Sequence, residues 1–143
     1  MKKVAFILIF ISLFLGGCRI DSMAIKANTV EEAMENLQKE EQNRDFKLYG
    51  ILNAGDDLAF VAFKGLMNDQ DFWVAEVTKK NQYWAVTNCY LIMDSGIPNE
   101  VYRFENVDLG YELGFTRGEM ADDNARFFEF EEEVEWKIWY KHL

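Results

Sequence analysis

An α+β fold, one N-terminal helix packed on a curved antiparallel meander sheet of six or seven strands, is predicted by three observations. Val30, Ala33, Met34 and Leu37 recur at helical spacing early in the chain, making one apolar stripe on an otherwise charged segment. From Phe46 onward the apolar period changes to two and aromatic residues crowd in. No further helical pattern separates the strands, which excludes a parallel sheet built with crossover helices.

The elements follow in order. Thr29 with Glu32 three residues later is a capping-box pattern, in which hydroxyl and carboxylate each satisfy a free backbone N–H, so the helix starts there. It should end near Gln42-Asn43. Strands over 46–52 and 58–64 flank Asn53-Ala54-Gly55-Asp56-Asp57, whose Gly, Asn and Asp residues suit a hairpin turn. Strands over 72–79 and 82–93 flank the tight return Lys80-Asn81. Apolar residues on both faces of 58–63 mark a strand covered on both sides. Residues 94–99 hold the only proline, Pro98, and break the pattern. A weak strand follows at 101–104 and a cleanly alternating one at 109–116, with Leu109, Tyr111, Leu113 and Phe115 on one face. The last hairpin pairs 126–130 with 134–141 around Glu131-Glu132-Glu133. In its second arm Val134, Trp136, Ile138 and Tyr140 point inward, and Glu135, Lys137, Trp139 and Lys141 outward. The order of helix and strands resembles that of the cystatin-like and NTF2-like folds.

The start of the chain has a different logic. Met1-Lys2-Lys3 leads into an apolar run from Val4 to Leu15, and Leu15-Gly16-Gly17-Cys18 follows. A basic start, an apolar stretch and small residues before a cut are the parts of a secretion signal. The run is too short for a spanning helix, which needs roughly 20 apolar residues. An ordinary cleaved signal with a chance cysteine is the competing explanation, but Leu15 stands three residues before that cysteine. These residues resemble the lipobox of bacterial lipoproteins. The resemblance implies cleavage after Gly17 and a diacylglycerol on Cys18, with residues 1–17 a signal peptide, 18–28 a lipidated tether and 29–143 one α+β domain. The whole chain also resembles the small lipoproteins of unknown function of Gram-positive bacteria, a likeness that lends no catalytic residue. The location implied is the extracytoplasmic face of the cell membrane, reached through the lipid.

Removing residues 1–17, which carry Lys2 and Lys3 and no acid, leaves 126 residues with 13 Lys plus Arg against 25 Asp plus Glu, a formal charge of −12. No basic cluster exceeds the Lys79-Lys80 pair, which argues against nucleic acid as a partner. With Cys18 taken by lipid, Cys89 is left alone in a strand-like run, so no intrachain disulfide forms and a buried, inert thiol is expected.

Chemistry is thin. His142, the only histidine, stands one residue from the end, and no Gly-x-Ser-x-Gly elbow accompanies it. One His and one unlipidated Cys fall short of a zinc site. Two acidic groups, Asp122-Asp123 with Glu119, and Glu129, Glu131, Glu132, Glu133 and Glu135, do not match an EF-hand loop. A solvated turn is expected for the first, with a weak Ca²⁺ site as its alternative, and a charged hairpin tip for the second. No catalytic residue, metal or cofactor is therefore expected. Among the aromatic pairs, one ring of each should fill the core. Trp139 is the exception, since its strand places it among charged neighbours, and it is the residue nominated for a recognition surface. The function expected is a non-enzymatic binding or interaction module, its partner another envelope protein or a cationic ligand. The alternative is a carboxylate-dependent enzyme acting on envelope polymers.

Overall fold

A computed structural model describes residues 25–93, 101–118, 122–130, 132 and 134–143. The expected signal peptide, the lipidation residue Cys18 and the Pro98 segment lie outside the described residues, as do Glu119, Glu131 and Glu133. The described residues form one helix, α1 (Val30–Glu40), and eight strands: β1 (Lys47–Asn53), β2 (Leu58–Lys64), β3 (Phe72–Lys80), β4 (Tyr83–Ile92), β5 (Tyr102–Asn106), β6 (Tyr111–Thr116), β7 (Arg126–Phe127) and β8 (Lys137–His142). All pairings are antiparallel, in two four-stranded sheets of order β1-β2-β3-β4 and β5-β6-β8-β7.

The α+β class holds, but the single meander of six or seven strands is replaced by two stacked sheets. The reason is a shortage of cover. Ala59, Val61, Phe63, Trp73, Ala75 and Val77 of β2 and β3 pack under Val30, Ala33 and Met34 of α1. On the opposite face Phe60, Ala62, Phe72 and Val74 also need burial, and α1 lies only on the first. The second sheet closes that face with Tyr111, Leu113, Phe115, Ile138 and Tyr140. The layers therefore run helix, sheet, sheet. Alternation in a sequence reports that a face is buried; it does not report what buries it.

Local signals are obeyed closely. The Thr29 hydroxyl accepts from the Glu32 N–H at 3.1 Å, and the Glu32 carboxylate reaches back to the Asn28 N–H at 2.6 Å, one residue before the expected partner. Beyond the helix, Gln42 and Asn43 take positive φ and turn the chain into β1. The final hairpin forms with only two residues in its first arm. Its continuation leaves the sheet and runs over β1, where the Glu129 carbonyl comes so close to Gly50 that a Cβ there would lie 2.6 Å from it. Ala27, assigned to the tether by sequence, belongs to the fold: it is fully buried and bridged to Trp84, whose N–H donates to its carbonyl at 2.8 Å. The chain thus enters the domain where β4 begins.

Candidate functional site

Trp139 is not a surface residue. Its strand register is as expected, on the outer face of the second sheet, yet its side chain is fully buried. Gly114 is its cross-strand partner, and a Cβ on Gly114 would stand 2.0 Å from the indole, so the absent side chain makes room for the ring. Arg103 and Lys141 lie over the indole at 5.7 and 5.8 Å. Those cations are themselves paired, Arg103 to Glu112 at 3.5 Å, and Lys141 to Glu112 at 3.3 Å and Asp122 at 3.1 Å. Charged neighbours were taken to mean exposure; here they form a lid, because pairing removes most of the cost of covering them. Hydrogen bonds from the Asn124 N–H and the Lys141 ammonium hold the Asp122 carboxyl below its ordinary range, and Asp122 and Glu112 push the Lys141 ammonium up. The residue nominated for recognition is thus part of the core.

The other acids are also engaged. Asp122 accepts from the Asn124 N–H at 3.0 Å, and among the described residues no group of three or more potential metal ligands converges. Glu132 pairs with Lys47 at 2.7 Å and Glu135 with Arg117 at 3.1 Å. Instead of decorating a free tip, these two glutamates tie the segment before β8 to a strand of each sheet or its end. His142 shares a 3.0 Å hydrogen bond with the Tyr140 hydroxyl. Cys89 is half-buried against the helix face of the core, and burial, reinforced by the charge of Glu41, pushes its thiol up to about 11.

A buried carboxyl group went unnoticed in the sequence. Glu76 of β3 faces the second sheet and is 3% exposed. Its oxygens accept from the Thr87 hydroxyl, the Tyr111 hydroxyl and, at 3.0 Å, the Asn106 amide. Tyr90, 2.9 Å from the Tyr111 oxygen, stands behind that phenol. Thr87 can reach Glu76 because the β3–β4 ladder shifts register between Glu76 and Val77, leaving Thr87 as the extra residue of a bulge. Burial, followed by the bonds to Glu76 and Tyr90, raises the Tyr111 phenol far above its ordinary range. The only sequence signal for this cluster was a glutamate in the middle of an otherwise apolar strand. With donors from β4, β5 and β6, the cluster joins the two sheets.

A further feature is an open cleft of about 380 Å³ between the sheets. Lys64, at the end of β2, and Phe72 with Ile92, the facing ends of β3 and β4, form one wall. Trp136 and Val134, just before β8, form the other, with Arg117 following β6. Tyr49 lies at its side, freed from the ladder by a register shift between Leu48 and Gly50. The rings are held by one another: Tyr49 and Phe72 have centroids 5.1 Å apart, and Trp136 stands edge-on to Phe115 at 5.7 Å. Arg117 lies over Trp136 at 4.7 Å. The volume is in the range of small-molecule sites, and the lining is more polar than is usual for them, with Lys64, Gln70, Asp71, Arg117, Glu132 and Glu135 beside the rings. No family model matches this chain, and no curated protein or solved structure is similar enough to match it.

Proposed function

We propose that the protein is a lipid-anchored, extracytoplasmic lipoprotein that acts as a non-enzymatic binding module, and that the cleft between Lys64, Phe72 and Trp136 is where it binds. The observation that carries this is the cleft itself: rings fixed by mutual packing, beside polar groups, in an opening a small ligand or a projecting side group could enter. Its position supports display from a membrane. Six residues separate Cys18 from Ile25, a span of about 25 Å when extended. The chain enters the fold at the Trp84 end of β4, whereas Ile92, on the cleft wall, is at the other end, about 25 Å away along the strand. An anchored domain would hold its cleft away from the lipid. The carboxylate-enzyme alternative would draw on the acids of the cleft, of which Glu132 and Glu135 are ion-paired and Asp71 is bonded to the Asn68 amide.

The test is isolation of the lipidated protein from its own membranes in mild detergent, followed by native mass spectrometry. The wild type should carry an additional small mass, or a retained envelope component, that a Trp136→Ala variant of equal melting temperature loses. Release of soluble fragments from envelope polymers by the purified wild type would overturn the proposal in favour of the enzyme.

A further inference from the structure

Of the two cations that line the cleft, Arg117 is paired with Glu135. Lys64 is half-buried at the end of β2, and among the described residues no carboxylate lies within ion-pair distance of it. Its ammonium instead lies over two rings of the cleft wall, Tyr49 at 5.8 Å and Phe72 at 5.9 Å. Directly across the ladder is Lys47, a like charge, and Lys47 has taken the nearby Glu132 at 2.7 Å. Glu135 is likewise occupied by Arg117. Asp71 accepts from the Asn68 side chain at 2.7 Å.

From this we infer that the cleft takes a small organic carboxylate with a flat or apolar body, its single negative charge set against Lys64 and its body against Phe72 and Trp136. The inference rests on the cleft being a binding site and adds the ligand's charge and shape. An ammonium with no carboxylate partner is stabilised by an incoming anion more than by a neutral group, because the bond it makes is charge-assisted. A cationic ligand would meet Lys64 while finding Glu132 and Glu135 already paired and Asp71 held by the Asn68 amide. A dianion such as a phosphate monoester is disfavoured because Lys64 offers a single positive charge and Asp71 lines the same opening. One negative charge matches the one ammonium. The aromatic walls select the rest of the ligand, because a flat body gains contact area on rings already fixed in place.

The experiment is isothermal titration of the full lipidated chain in detergent with four probes: N-acetylphenylalanine, its amide, phenethylammonium and phenyl phosphate. N-acetylphenylalanine should bind best, with the amide weaker by roughly tenfold, the worth of one charge-assisted contact. Lys64→Gln should remove that tenfold preference and leave the amide unaffected, while Lys64→Arg should keep it. Equal binding of acid and amide, a preference for phenethylammonium or phenyl phosphate, an undiminished preference in Lys64→Gln, or no binding of any probe would each overturn the assignment. The two proposals fail separately. If the wild type retains an envelope component that Trp136→Ala loses, yet discriminates none of the probes by charge, the binding module stands and the carboxylate falls. Polymer hydrolysis removes the module irrespective of the titration.

Discussion

At the scale of single residues, Trp139 shows how a side chain on the outer face of a sheet becomes core. The indole lies in the gap that Gly114 leaves, and Arg103 and Lys141 cover it. Trp139→Ala should therefore destabilise by about 3–5 kcal/mol, as for other buried large aromatics, and should change ligand binding only through stability. Chemical denaturation of the variant measures this, and a loss below about 1 kcal/mol would contradict the burial. Gly114→Ala should also destabilise, since its Cβ would stand 2.0 Å from a ring with no space to retreat. Cys89 offers a second check. A thiol pushed up to about 11 is almost wholly protonated near neutral pH, so alkylation of the native protein should be roughly a hundredfold slower than that of an ordinary thiol. Labelling as fast in the native state as in denaturant would contradict it.

At the scale of elements, the link between the sheets is the Glu76 cluster, which joins β3 and β4 to β5 and β6 through Thr87, Asn106 and Tyr111. Glu76→Gln puts an NH2 donor where a carboxylate oxygen accepts, so at least one bond of the cluster must break or reverse, and it should cost about 1–3 kcal/mol in equilibrium unfolding. An unchanged unfolding midpoint would show that the cluster contributes nothing. The same cluster gives the protein an alkaline limit. Tyr111 and Cys89 both hold their protons more tightly folded than unfolded. Their contribution is complete below the unfolded values and is lost as pH rises, because the unfolded chain ionises first. The urea midpoint should fall from about pH 9 upward, first through the thiol and then through the phenol. Tyr111→Phe should flatten the later part of the decline; a decline of the same slope would assign it elsewhere.

At the scale of the whole molecule, the chain enters the fold beside Trp84, at the end of β4 opposite the cleft, so the proposed anchor and the cleft should be removable independently. Cys18→Ala should abolish fatty-acid labelling and either release the protein or leave it unprocessed, while the soluble form keeps the cleft and its probe selectivity. Undiminished labelling of that variant would exclude Cys18 as the anchor.

Much of the fold was legible in the chain because it depends on near neighbours. The Thr29–Glu32 cap, the helical stripe from Val30 to Leu37 and the doubly apolar run of β2 are properties of a few adjacent residues, and the structure follows them closely, whereas β8 begins at Lys137, three residues later than the alternation from Val134 predicts. The tether boundary failed at Ala27 because its partner, Trp84, is far away along the chain. The same limit hid the cleft, whose walls meet only when residues near 64 and 72 are laid against residues near 136. It also reversed the expectation for Trp139, whose own strand is charged but whose cover comes from Arg103 and Gly114 on neighbouring strands. By itself the sequence determined where the helix and most of the strands lie and which strand faces are apolar. The tertiary structure alone decided how many sheets there are, which charges are paired and which ammonium is left over, because those depend on what packs across a layer and local periodicity carries no record of it.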